Sequence, residues 1–108
     1  MAGKHVNGVL IPQYIDRQSR QSDFLQFRKD YVERFNHEPG FPSITGYNAT
    51  HAALLAIQNK QPEESLKQTL LRVRSFGGIQ IPVTFDENGD VQAQMYMVQV
   101  INGKFVVQ

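Results

Sequence analysis

The sequence predicts a mixed α/β fold with the element order β-α-α-α-β-β-β. Apolar residues recur at helical spacing across the middle of the chain, in runs that proline and glycine interrupt. After the sequence SFGG the pattern changes to strand-like alternation that lasts to the C-terminus. The chain has 108 residues and neither an internal repeat nor a low-complexity linker. We therefore treat residues 1–108 as one segment, either a single domain or a piece of a larger one.

The N-terminal third predicts one strand and one helix. The sequence HVNGVLIPQY indicates a short strand from Val9 to Ile11, ended by Pro12 because proline has no backbone N–H for a ladder. A helical pattern starts at about Ser22. Its apolar stripe has helical spacing, which predicts that the stripe faces the core: Phe24, Phe27, Tyr31 and Phe35.

Two further helices follow the breaker sequence NHEPGFP. The first is predicted from Thr45, as N-cap, to Asn59, and its run AALLAI is apolar on nearly every side. A helix of this kind needs cover on more than one face. The second is predicted to begin at Pro62, where Glu63 and Glu64 would complement the helix dipole. Its apolar stripe consists of Leu66, Leu70 and Val73.

The C-terminal third predicts three strands. IPVTF, residues 81–85, is one, and VQAQMYMVQVI, residues 91–101, is a longer one in which Gln92 and Gln94 alternate with Ala93 and Met95. Asn102-Gly103 between two apolar runs is a strong hairpin signal, so the chain is expected to end in an antiparallel hairpin.

Composition excludes several classes of function. The formal net charge of +1 gives no electrostatic reason to expect a nucleic acid as partner. The chain has no cysteine and therefore no disulfide, thiolate nucleophile or cysteine-bound zinc. No apolar run approaches the roughly 20 residues of a membrane helix, and the N-terminal residues do not form a signal peptide pattern.

The stretch TFDENGD, residues 84–90, is the main candidate for metal chemistry. Asp86, Asn88 and Asp90 match the first half of an EF-hand loop, but Val91 and Met97 stand where Gly and Glu are required. We expect a turn in which Asp86 to Asp90 joins two strands, with a weak cation site as the alternative. The histidines have no metal-ligand spacing, and no serine or phosphate-loop motif occurs. We expect no enzyme, no cofactor and no metal site.

Two aromatic residues are candidates for ligand contact. Tyr14 and Phe41 lie in predicted connections, next to Pro12 and Pro42. Aromatic residues in such connections often line ligand clefts in α/β folds. His51 lies on the apolar helix, where a hydrogen-bonded and partly buried side chain is expected rather than a metal ligand.

Six blocks in order, GVLIPQY, FLQFRKDYVERFNHEPGFP, GYNATHAALLAI, ESLKQTLLRV, SFGGIQIPVTFDENGD and MYMVQVINGKFVVQ, resemble a known family. Together they are similar to the C-terminal part of a type I periplasmic-binding protein of the branched-chain amino-acid (Leu/Ile/Val) receptor group of ABC importers. Two departures occur. Asn48 stands where the family usually has Asp, and FGGIQIP replaces the usual F-x-G-x-x-G spacing, which leaves the geometry before residues 81–85 open.

The resemblance implies a partial periplasmic-binding-protein type I fold that holds the last strand crossing between two lobes and a terminal hairpin. It implies a small solute, with amino acids as the commonest choice, an ABC permease as partner, and a periplasmic or extracellular location. The ligand contacts that it carries onto this chain are Tyr14, Phe41, Pro42 and Ser43. Because such a segment lacks most of both lobes and would expose a large apolar face, we expect copies of it to associate or to exchange strands.

Two other functions remain open from the sequence. The same fold serves as the extracellular ligand-sensing domain of signalling receptors. The third possibility is a free-standing small domain that has kept this part of the fold and only mediates assembly, without a ligand.

Overall fold

A computed structural model describes residues 3–92 and 94–108, and these residues form a mixed α/β structure. A short 3₁₀ turn at Gly3–Val6 precedes the first strand. The helices are α1 (Ser22–Phe35), α2 (Phe41–Asn59) and α3 (Leu66–Val73). The strands are β1 (Leu10–Gln13), β2 (Ser75–Phe76), β3 (Val83–Thr84), β4 (Tyr96–Ile101) and β5 (Lys104–Val107). The predicted α/β class is confirmed, with one short strand, β2, that the sequence pattern does not indicate.

Strands β1, β4 and β5 form an antiparallel sheet in the order β1-β4-β5. The predicted end of the first strand is wrong, because Pro12 lies within β1 opposite Met97. β1 is an edge strand, and proline is tolerated there because one side of the strand needs no ladder hydrogen bond. The terminal hairpin is confirmed: Asn102 and Gly103 have φ values of 51° and 76°, as a two-residue turn between β4 and β5 requires.

The predicted helix from Ser22 is confirmed as α1, and Asn36 ends it in the left-handed conformation with φ 56°. Its apolar stripe is buried only at one end. Phe24 is 2% exposed and Phe27 packs against the same cluster, whereas Phe35 is 50% exposed. The prediction that the whole stripe is core is therefore wrong for Phe35, whose ring lies beside those of Tyr31 and His37, with centroids 4.6 and 6.3 Å away, and stays half exposed.

Helix α2 begins five residues earlier than the sequence predicts, counted from the predicted N-cap Thr45 to the observed N-cap. Gly40 is the N-cap and Pro42 lies in the first turn, where proline needs no hydrogen-bond donor. Thr45 is therefore not the N-cap; its hydroxyl donates to the Phe41 carbonyl oxygen at 2.9 Å inside the helix. Phe41, Pro42 and Ser43, which the sequence places in a loop, consequently lie in the first turn of α2.

Helix α3 begins at Leu66 rather than at Pro62. Ser65 is the N-cap and forms a capping box with Gln68: the Gln68 N–H donates to the Ser65 hydroxyl at 3.1 Å, and the Ser65 N–H donates to Gln68 Oε1 at 2.7 Å. Glu63 therefore lies before the helix, with φ 65°. Glu64 also precedes the cap and accepts hydrogen bonds from Arg72 instead of acting on the dipole.

The two strands predicted over residues 81–85 and 91–101 are both shorter in the structure. β3 spans Val83–Thr84 and pairs with β2, and Val91 forms an isolated bridge with Phe85. β4 begins only at Tyr96, so the alternation predicted from Val91 does not form a continuous strand. Ala93 of that alternation lies outside the described residues.

Residues 86–90 form the predicted turn. The Asp86 carboxylate accepts from the backbone N–H groups of Asn88 and Asp90, both at 2.9 Å, and Gly89 has φ 89°. The Asp86 N–H donates to the Asp90 carbonyl oxygen at 2.9 Å and closes the loop.

Two buried clusters stabilise the helices. One contains Ile15, Phe24, Ile44 and Ile79, and the other contains Ala52, Ala56 and Phe76. The described residues nevertheless form an elongated body with extents of 58 × 33 × 23 Å and a radius of gyration of 16.9 Å. A compact domain of this length would have a radius of gyration of about 13 Å. The sheet and the helices therefore leave much apolar surface without cover.

Candidate binding groove

An apolar groove of about 520 Å³ runs along α2. One wall is the first part of α3, with Leu66 and Leu70, and the other is the segment that leads into and out of β3. The exposed floor residues of α2 are small and recur every fourth position, so that they share one face of the helix: Thr45, Ala49 and Ala53. The groove thus combines a low floor with larger aliphatic walls.

The pattern of α2 explains why this surface is apolar. Ile44, Asn48, Ala52 and Ala56 recur at the same spacing and are the buried stripe of the helix. The floor of the groove is the next stripe along the helix surface. Ile57 continues the floor stripe past the groove and is 58% exposed, and Leu54, on another face, is 53% exposed. The sequence prediction that this helix needs cover on more than one face is consistent with these exposures.

Tyr14 and Phe41 meet at one end of the groove. Their ring centroids are 5.1 Å apart with an interplanar angle of 36°, and both line the groove. Tyr14 follows β1 and Phe41 opens α2, so the fold brings together two residues that are far apart in sequence. Each ring remains nearly half exposed, at 47% and 42%. A tilted aromatic pair with free faces and one phenol hydroxyl can bind the apolar part of a small molecule.

Pro42 and Ser43 lie beside this pair but do not line the groove. Pro42 is exposed in the first turn of α2. The Ser43 hydroxyl donates to the Tyr31 hydroxyl at 2.9 Å and so links α2 to α1. Their assignment as ligand contacts stays a prediction.

Asn48 is a buried residue of the site that sequence reasoning did not select. Its carboxamide pairs with the backbone of Ile79: the Ile79 N–H donates to Oδ1 at 2.8 Å and Nδ2 donates to the Ile79 carbonyl oxygen at 3.3 Å. This pair holds the loop before β3 against α2. The departure from the family's Asp at this position was the one sequence signal that pointed to Asn48.

The loop at residues 77–82 forms part of the groove wall and is tightly packed. A Cβ at Gly78 would collide with the Ile81 carbonyl oxygen and lie 3.2 Å from the Asn48 carboxamide. His51 donates from Nδ1 to the Gly77 carbonyl oxygen at 3.2 Å, so it is a half-buried, hydrogen-bonded histidine as the sequence predicts. α2 therefore anchors this loop at two points.

An ion pair fixes the connection between α2 and α3. Arg72 donates from Nε and Nη2 to the Glu64 carboxylate at 2.8 and 3.0 Å. The same carboxylate accepts from the Gln61 N–H at 3.0 Å and from the Thr69 hydroxyl at 2.9 Å. The hydrogen bonds from Arg72 first, and then from Gln61, lower the pKa of Glu64 to about 2.

The described residues do not provide the ligand set of a metal site. Within residues 3–92 and 94–108 no three histidine or acidic side chains lie together as metal ligands would. None of the described helices is both long and apolar enough to cross a membrane.

Comparison with solved structures shows the fold of the chain. No family model matches the sequence. A branched-chain amino acid ABC transporter protein from Rhodospirillum rubrum superposes with a TM-score of 0.83 at 23% identity, over 98% of this chain and 32% of that one. An ABC transporter substrate-binding protein from Desulfitobacterium hafniense, in complex with Leu, gives a TM-score of 0.79 at 19% identity, over 95% of this chain and 32% of that one.

A third solved structure is the leucine binding protein LivK from Thermotoga maritima, with a TM-score of 0.72 at 25% identity over 98% of this chain and 31% of that one. The chain thus spans about a third of the length of these proteins. It has the fold of a segment of a type I periplasmic-binding protein, and the resemblance inferred from the sequence is confirmed at the level of fold.

Proposed function

We propose that the chain is a segment of the non-catalytic, solute-binding component of an ABC importer, and that an amino acid is its solute. The strongest support is that nearly the whole chain matches about a third of the length of each of three ABC transporter or leucine binding proteins. One of these was solved in complex with Leu, and another is named a leucine binding protein. The whole component would work in the periplasm or outside the cell and pass its solute to an ABC permease.

The groove supports the choice of a small solute with an apolar side chain. Tyr14 and Phe41 offer exposed ring faces at its mouth, and the floor behind them is apolar. An aliphatic side chain would contact both rings and gain from the removal of apolar surface from water. In this proposal Pro42 shapes the entrance, and Ser43 supplies a hydroxyl whose present partner is Tyr31.

Leucine titration of the chain by NMR tests this proposal. We expect leucine at millimolar concentration to shift the ring resonances of Tyr14 and Phe41, and we expect Tyr14→Ala and Phe41→Ala each to weaken the interaction. Phe35→Ala is the matched control, because Phe35 is a similarly exposed aromatic residue that does not line the groove. Equal weakening by all three variants, or shifts with no dependence on leucine, would contradict a site at the Tyr14–Phe41 pair.

We also propose that copies of this chain associate with each other through the groove. Large apolar side chains on and around α2 are exposed to solvent. The elongated shape of the described residues is consistent with this incomplete burial of apolar surface. A charged side chain on the groove floor, as in Ala53→Glu, should shift the chain towards the monomer. Leu25→Glu, at an exposed apolar site on α1 away from the groove, is the control. Light scattering that shows a monomeric wild-type chain at all concentrations would overturn this proposal.

A further inference from the structure

Gln80 has a backbone conformation that L-residues rarely adopt. Its φ is 67°, and the Ile81 N–H donates to the Ile79 carbonyl oxygen at 2.9 Å across it, so that Gln80 is the central residue of a tight γ-turn. This is the form of γ-turn that has positive φ at its central residue. It is strained for any residue with a Cβ, and glycine would adopt it with less strain. The presence of glutamine here calls for a compensating role of its side chain.

The side chain of Gln80 pairs with the backbone of Asp16. The Asp16 N–H donates to Oε1 at 3.0 Å, and Nε2 donates to the Asp16 carbonyl oxygen at 2.7 Å. Both hydrogen bonds are partly buried and join residues 64 positions apart. The carboxamide therefore forms the same pair of hydrogen bonds with Asp16 that the backbone of a neighbouring strand would form. This pairing lies just beyond the end of β1.

The segments on both sides of this pair are themselves fixed. On the loop side, the carboxamide of Asn48 holds Ile79 against α2. On the strand side, Ile15 is 3% exposed and lies in the cluster with Ile79. Tyr14 is the next residue towards β1 and is half exposed at the mouth of the groove. Tyr14 thus directly precedes Ile15, which is held by burial, and Asp16, which is held by its hydrogen bonds to Gln80.

We propose that Gln80 is a positioning residue that fixes the exit of β1 on the helices and thereby holds Tyr14 against Phe41. The Gln80–Asp16 pair is a polar tie between the β1-β4-β5 sheet and the helical part, and Ile15 is its apolar counterpart. The strain of the γ-turn is tolerated because the turn aims the carboxamide at Asp16. The role in binding rests on the proposed solute site, whereas the tie itself does not.

The variant Gln80→Gly keeps the γ-turn but removes the side chain that pairs with Asp16. Glycine fits the φ of 67° and keeps the γ-turn, so the variant should fold, but it removes the carboxamide. We expect the Asp16 amide to exchange with solvent about tenfold faster or more in Gln80→Gly, measured by NMR hydrogen exchange. Gln58→Ala, at an exposed glutamine of α2, is the control and should leave Asp16 protected. An unchanged Asp16 exchange rate in folded Gln80→Gly would overturn the proposal.

A distance measurement tests the consequence for the two parts of the chain. Because the chain contains no cysteine, spin labels can be placed at Lys29→Cys on α1 and Lys104→Cys on β5, both exposed in the structure. The distribution of distances should broaden in Gln80→Gly and remain narrow in Gln58→Ala. A distribution that stays equally narrow in Gln80→Gly would refute the tie.

Leucine binding separates this inference from the proposed function. If wild type binds leucine and Gln80→Gly binds it more weakly while its melting temperature is retained, the positioning role is supported. If Gln80→Gly frees Asp16 but binds leucine as tightly as wild type, the role in positioning Tyr14 is refuted. If wild type does not bind leucine yet Gln80→Gly frees Asp16, the solute site fails and the tie stands.

Discussion

Replacement of Asn48 by Asp should destabilise the chain in a pH-dependent way. Asn48 is 8% exposed, and its carboxamide both donates to and accepts from the backbone of Ile79. An aspartate keeps the acceptor for the Ile79 N–H but places a second oxygen near the Ile79 carbonyl oxygen, where Nδ2 now lies at 3.3 Å. In the ionised form that carbonyl loses its donor and faces a negative charge. The protonated acid could still donate to it.

The expected magnitude follows from this geometry. A buried hydrogen-bonding group left without its partner costs about 1–3 kcal/mol. Since only the protonated form fits, the pKa of the introduced carboxyl should be higher in the folded than in the unfolded chain, where it is about 3.9. The folded state then binds more protons, so the free energy of unfolding falls as pH rises from about 4 through the folded pKa. Each unit of that rise in pKa corresponds to about 1.4 kcal/mol.

Urea unfolding of wild type, Asn48→Asp and Asn48→Ala at pH 4 and pH 7 measures this effect. The alanine variant loses both hydrogen bonds and provides the matched control, because its deficit relative to wild type should not depend on pH. The deficit of Asn48→Asp should be small near pH 4 and should reach about 1–3 kcal/mol or more near pH 7. An aspartate variant as stable as wild type at pH 7, or one whose deficit is the same at both pH values, would refute the proposed pairing with Ile79.

Two further predictions concern the loop before β3 and the connection between α2 and α3. Gly78→Ala should destabilise the chain by about 1–3 kcal/mol, because the new Cβ collides with the Ile81 carbonyl oxygen, whereas Gly77→Ala meets nothing within 4 Å; equal urea midpoints for the two variants would contradict the packing of this loop. The pKa of Glu64 is lowered from 4.5 to about 2 by Arg72, so the ion pair stabilises the fold fully above the unfolded pKa and is lost as pH falls towards 2. Thermal melts of wild type and Glu64→Gln should therefore differ at pH 7 and converge near pH 2, and a constant difference would show that ionisation of Glu64 does not matter.

Local signals in the sequence predict the elements whose stability is local. Helix α1, the turn at residues 86–90 and the hairpin at Asn102-Gly103 all depend on residues close together in sequence, and each forms as predicted. The predicted start of α2 is wrong because Gly40 and Pro42, which end helices in many sequences, here cap and begin one. Both residues do mark a helix boundary, but it is the start of α2 rather than a break before it.

The remaining errors come from contacts that no local pattern contains. Pro12 is compatible with β1 only because β1 is an edge strand, which depends on its pairing with β4 far along the chain. The 50% exposure of Phe35 depends on which other elements cover the end of α1, and the helical spacing of its own stripe does not encode this. Half of the candidate site, the Tyr14–Phe41 pair, was selected from the sequence. The sequence does not predict the roles of Asn48 and Gln80, because their partners are backbone atoms 31 and 64 residues away. Asn48 is marked only by its departure from the family's Asp, and Gln80 by no pattern at all.

The central claim is that Tyr14 and Phe41 form a contact site for a small apolar amino acid. Intermolecular nuclear Overhauser effects between the methyl groups of leucine and the aromatic protons of the chain test it most directly. We predict effects to the rings of Tyr14 and Phe41, which lie 5.1 Å apart, and none to Phe105, which is 42% exposed on β5. Effects to Phe105 alone, or to no aromatic ring at millimolar leucine, would contradict the account.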